Sequence, residues 1–123
     1  MQRIGQHPAT AILRGINELV RIGAVDRQLP IVVVEDVRST EWASIIFTGL
    51  RHEFDLRLEG EADSVAAALL SLADDMPEVD LPMAGHFLAE IAIAPGDPGQ
   101  AIAGCTGGHR VQRLRIEALT VRD

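Results

Sequence analysis

The sequence predicts an α+β fold, a two-layer sandwich of a mostly antiparallel four- to five-stranded sheet with two helices on one face. Three observations lead there. Apolar residues recur at steps of three and four over 9–23 and again over 65–76, the period of a helix with one buried stripe. They alternate with polar residues most clearly over 52–59, and again over 86–94 and 110–121, the pattern of strands with one face on a core and one in water. The resulting order is helix, two or three strands, helix, two strands, so two helices are available to cover one apolar sheet face.

The first helix, 9–23, carries Ile12, Leu13, Ile16, Leu19 and Val20 on one face and Arg14, Asn17, Glu18 and Arg21 opposite. Pro8 suits the first helical turn and Gly23 suits a left-handed cap at the end. From Pro30 the β-branched run Ile31, Val32, Val33, Val34 predicts a strand, followed by the polar Glu35, Asp36, Arg38, Ser39 and Thr40. After Trp42, the apolar stretch Ala43–Gly49 fits either a short strand or a connection. In 52–59, Phe54, Leu56 and Leu58 alternate with Glu53, Asp55, Arg57 and Glu59, and Gly60 ends the strand. Asp63 or Ser64 is placed to cap the second helix. Its face is Val65, Leu69, Leu72 and Met76, and Pro77 and Pro82 stop it.

In 86–94, Phe87, Ala89, Ile91 and Ile93 fall on one side and His86 and Glu90 on the other. Residues 95–109 hold five glycines and two prolines in fifteen positions, which predicts a long mobile connection. In the last strand Leu114, Ile116 and Ala118 point inward. Leu119 and Val121 then break the alternation, which predicts a bulge near Glu117.

Composition narrows the function. The 123 residues (13.3 kDa) suit one domain spanning 1–123, and 47% apolar residues suffice for one core. Eighteen acidic residues face eleven basic ones, giving a net charge of −7, and every cation is arginine. A lysine-free chain has no Schiff-base chemistry and no Walker-type phosphate lysine. The acidic balance argues against binding a nucleic-acid backbone. The single cysteine excludes an internal disulfide. There is no apolar run of membrane-spanning length and no signal-peptide core at the N-terminus, so a cytoplasmic domain without membrane contact is expected.

Candidate chemistry is sparse. Cys105 and His109 share the Gly-rich loop, but Gly104, Gly107 and Gly108 give no rigidity to hold a nucleophile against its base. His52 and His86 begin different strands. The nearby Glu53 points to the opposite face from His52, and Glu90 lies roughly 13 Å along the strand from His86. No metal site is expected, and both histidines read as polar-face or strand-end residues. The run GCTGGHR, 104–110, lacks the lysine and the strand–loop–helix setting of a phosphate loop. Asp74, Asp75, Glu78 and Asp80 form an acidic helix end that reads as solvated surface. A double-stranded-RNA-binding domain shares the opening order of elements but needs a basic second helix, and this one is acidic at its end. Neither a catalytic residue nor a cofactor is expected.

With the elements placed, the run from Trp42 through GLRHEFDLRLEGEADSVAAALLSLADDM, then LPMAGHFLAEIAI, then RVQRLRIEALTV, resembles the tail-completion or tail-terminator family of long-tailed phages and gene-transfer agents. The residues carrying the likeness are Glu41-Trp42, then Gly49 and His52, the alanine-rich helix, Gly85-His86, and Ala118-Leu119-Thr120. They span 9–121. The resemblance implies an α/β subunit, either monomeric or associated when free, that forms within the particle a homohexameric ring capping the tail tube and joining it to the head-side connector. Its implied partners are the tail-tube and head-completion proteins, during cytoplasmic assembly and then within the particle, and it implies no enzymatic activity. Where relatives carry a polar Thr/Lys-containing linker after the Trp, this chain has Ser44-Ile45-Ile46-Phe47.

Three bulky apolar residues in a row cannot all face one side of a strand. Trp42, Ile45, Ile46 and Phe47 are therefore the expected subunit interface. Ile102, Cys105 and His109 are the expected partner-contact loop. A small dimeric ligand-binding or regulatory domain is the alternative reading, and a small enzyme using His86 or Cys105 a third.

Overall fold

A computed structural model describes residues 7–23, 29–76, 81, 83, 85–95 and 108–122. The apolar stripe of the first segment forms helix α1 (Pro8–Gly23). Strands β1 (Ile31–Ala43) and β2 (Thr48–Glu61) follow as a long hairpin. Helix α2 (Ala62–Asp75) then leads to β3 (His86–Pro95) and β4 (His109–Arg122). The four strands form one sheet in the order β1-β2-β4-β3, every neighbouring pair antiparallel. Both helices cover one face, so the predicted α+β sandwich is the fold.

The core sits between that face and the helices. Phe54, Leu56 and Leu58 of β2 and Leu114, Ile116 and Ala118 of β4 pack with Ile12, Ile16, Leu19 and Val20 of α1. Val65, Ala68, Leu72 and Met76 of α2 complete it. Each large side chain so buried contributes about 1.5–3 kcal/mol. The other face carries the odd-numbered residues of β2, and charged pairs fill it. Arg38 bonds to Glu53 (3.0 Å) and Asp55 (3.2 Å), Arg115 to Asp55 (2.7 Å), and Arg57 to Glu35 (2.8 Å). Arg115, and then Arg38, hold the Asp55 carboxyl below the usual carboxylate range. These groups remain wet, so each pair contributes little to stability.

Several sequence expectations are corrected. β2 is longer than 52–59 and runs through Gly60. Consequently the cap of α2 is Glu61 rather than Asp63 or Ser64; its carboxylate accepts the N–H groups of Asp63 (3.1 Å) and Ser64 (3.2 Å). Gly23 is helical and adopts no left-handed cap. What it provides is close approach: a Cβ there would lie 2.8 Å from Ser71 Cβ and 2.9 Å from the Ala67 carbonyl oxygen of α2.

The bulge expected near Glu117 is absent, and β4 keeps regular register with β2 throughout. The irregularity lies across from it in β3, between Leu88 and Glu90, with a second in β1 between Val34 and Asp36. The β3 bulge reverses the alternation, so Leu88, Ile91 and Ile93 face the core and Phe87 is exposed on the outer face. Pro77, Pro82, Glu78 and Asp80 lie outside the described residues, as does most of the 95–109 connection.

Candidate assembly interface

The ambiguous stretch after Trp42 resolves into three parts. Trp42 and Ala43 finish β1, residues 44–47 make the turn, and Thr48 and Gly49 begin β2. Turn positions ordinarily take Gly, Asn, Asp, Ser or Pro, whose backbones or side chains suit the reversal. Here the two central residues are isoleucines. Ile45 is 101% exposed, Ile46 77% and Phe47 48%. The turn is nevertheless well tied. The Ser44 N–H donates to the Phe47 carbonyl (2.7 Å), and the Phe47 N–H donates to Ser44 Oγ (3.1 Å). An ordered turn that displays three large apolar groups breaks the local rule for turns, and such breaks concentrate at functional positions.

Behind the tip the hairpin is fixed from both faces. On the outer face, Trp42 pairs with Gly49 and Gly49 with Val121, and Phe87 continues the row as the partner of Val121. The Trp42 indole Nε1–H donates to the Thr120 carbonyl (3.3 Å) across Gly49. A Cβ on Gly49 would sit 1.9 Å from that carbonyl oxygen and 3.0 Å from the indole nitrogen, so only glycine fits. A cleft of about 270 Å³ beside the indole is lined by Glu41, Trp42, Thr48, Gly49 and Arg122.

On the core face lies a network that the expected polar-face role of His52 missed. His52 is fully buried. Its Nε2 lies 3.0 Å from Thr120 Oγ1 and its Nδ1 lies 2.8 Å from Ser39 Oγ. Thr120 Oγ1 donates its own proton to the Leu50 carbonyl (3.3 Å). It must therefore accept from Nε2–H, which leaves Nδ1 to accept the Ser39 hydroxyl. The relay runs Ser39, His52, Thr120, Leu50 and joins β1, β2 and β4. Burial, and then the neighbouring His7 and His86, push the His52 imidazole down to about 4, so it is neutral and serves as a strut. His7 meets its ring edge-on at 6.1 Å and Phe54 stacks on it at 6.1 Å. The His86 ring nitrogens are enclosed and have no hydrogen-bond partner among the described residues, which nothing in the structure explains. One sequence signal does mark this network. His52 is in phase with Phe54, Leu56 and Leu58, and Thr120 with Leu114, Ile116 and Ala118.

Of the expected site residues, the structure brings Trp42, Ile45, Ile46 and Phe47 to one end of the sheet. His109 is at the opposite end, exposed, as the β4 partner of Glu61. Ile102 and Cys105 lie outside the described residues. Among the described residues, no group of three His, Cys, Asp or Glu side chains is placed to hold a metal ion, and no helix is long and apolar enough to cross a membrane.

No protein-family model matches this sequence, and no curated protein matches it. Among solved structures, the type 4 fimbrial biogenesis protein PilO from Pseudomonas aeruginosa aligns over 94% of this chain and 70% of its own, at 17% identity and a TM-score of 0.30. A likeness that weak carries no argument about either fold or function.

Proposed function

We propose that this chain is a structural assembly subunit that associates with copies of itself through the β1–β2 hairpin tip. The observation that carries this reading is the set of large apolar side chains held out into solvent by an ordered turn, Ile45, Ile46 and Phe47. Leaving them wet forgoes the stabilisation that burial would bring, about 25 cal/mol per Å² of apolar surface. The tail-terminator resemblance gives the reading its specific form, a homohexameric ring at the end of a phage or gene-transfer-agent tail tube.

The test is the mass of the purified protein as a function of concentration, measured by sedimentation beside Ile46→Asp. The wild type is expected to form multiples of the 13.3 kDa chain. The variant should lose that association at unchanged circular dichroism, because its carboxylate would be buried unpaired in the contact, at a cost of several kcal/mol. A wild type that stays monomeric at millimolar concentration overturns the reading.

A further inference from the structure

At the end of the sheet opposite the hairpin tip lies a cleft of about 400 Å³, lined by Leu29, Ile31, Glu59, Gly60, Glu61 and His109 among others. Its two large apolar side chains are open to solvent, Leu29 at 53% and Ile31 at 63%. The described residues thus present an apolar projection at one end of the sheet and, at the other, a recess with two exposed apolar side chains among its glycines and polar residues. The two cannot meet within one molecule, since the thirteen residues of β1 hold them roughly 40 Å apart at strand rise.

From this we infer that the tip of one copy seats in the recess of the next, a head-to-tail contact between two different surfaces. The inference rests on the proposed self-association and adds its geometry. Charge favours the same pairing. Glu59, paired with Arg57, and Glu61, whose carboxylate also caps α2, line the recess, while Arg122 stands beside the tip with no ion pair among the described residues. Glu41, also beside the tip, offsets part of that positive charge. Seating the turn costs little ordering, because its hydrogen bonds already fix it. A contact between unlike surfaces propagates from copy to copy. It closes as a ring where the rotation per step allows and otherwise grows as a filament.

Mixing two variants tests the geometry. Ile46→Asp spoils the tip and leaves the recess intact; Ile31→Asp spoils the recess and leaves the tip intact. Both side chains are exposed, and circular dichroism checks that each variant is folded. Each alone is expected to sediment as a monomer. An equimolar mixture is expected to form heterodimers and nothing larger, since one native contact survives per pair. As a second readout in a Cys105→Ser background, Ile46→Cys and Ile31→Cys chains should form a mixed disulfide under mild oxidation. Homotypic Ile46→Cys disulfides, or a mixture that stays monomeric while the wild type assembles, would overturn the head-to-tail contact and leave self-association standing. A monomeric wild type would overturn both.

Discussion

Burial keeps the His52 imidazole neutral, and that makes acid its point of weakness. In the unfolded chain the group titrates near 6.5, whereas in the fold it is lowered to about 4. Between these values the unfolded chain binds more protons, so stability is fully present above pH 6.5 and declines as the pH falls toward 4. A shift of that size corresponds to ~3 kcal/mol. Among the described residues, the polar groups facing His52 are Ser39 of β1, Thr120 of β4, His7 before α1 and His86 of β3, none of them a carboxylate that would offset the charge. His52→Gln is expected to lower stability at pH 7 by ~1–3 kcal/mol through lost buried hydrogen bonds. It should also remove this component of the pH dependence. Urea midpoints for both proteins at pH 7, 5.5 and 4 check it, and parallel curves would refute the assignment.

Gly23 shows the same dependence on context among the elements. By propensity, Gly to Ala within a helix gains up to about 1 kcal/mol. Here the added methyl meets Ala67 and Ser71 of α2, at a crossing also tied by Ser71 Oγ donating to the Leu19 carbonyl (2.9 Å). Gly23→Ala is therefore expected to destabilise by ~1–3 kcal/mol, and the sign of the change in Tm decides between close packing and simple propensity. The strand faces were legible wherever alternation ran unbroken, as in Phe54, Leu56 and Leu58. Alternation puts Phe87 with Ile91 and Ile93, whereas the fold exposes it, because a bulge turns on how one strand pairs with its neighbour, and β3 alone carries no record of that pairing. The cap of α2 moved for a related reason. β2 runs on to Glu61 because its last residues find partners in β4, down to His109.

For the molecule as a whole, the net charge is −7. Among the described residues, Arg38, Arg57, Arg113 and Arg115 of the open sheet face are each offset by carboxylates. The protein is accordingly expected not to bind duplex DNA at physiological salt. Filter binding checks this, and salt-dependent retention at micromolar protein would refute it. In a ring around a passing genome, the same charge would repel the phosphate backbone.

Fold class, the two helices, the inward faces of β2 and β4 and the acidic character follow from the order of amino acids alone, because each depends on composition or on spacing within one element. The three apolar residues at 45–47 were also visible there as a feature that no ordinary strand could absorb. Where those residues lie, in an exposed turn at one end of the sheet, came from the tertiary structure. It likewise supplied the partners of His52, which lie 13 and 68 positions away, and the closeness that requires glycine at 23 and 49. These features share one origin. They arise from pairing between segments distant along the chain, where register and approach distance are set by the packed sheet and helices together.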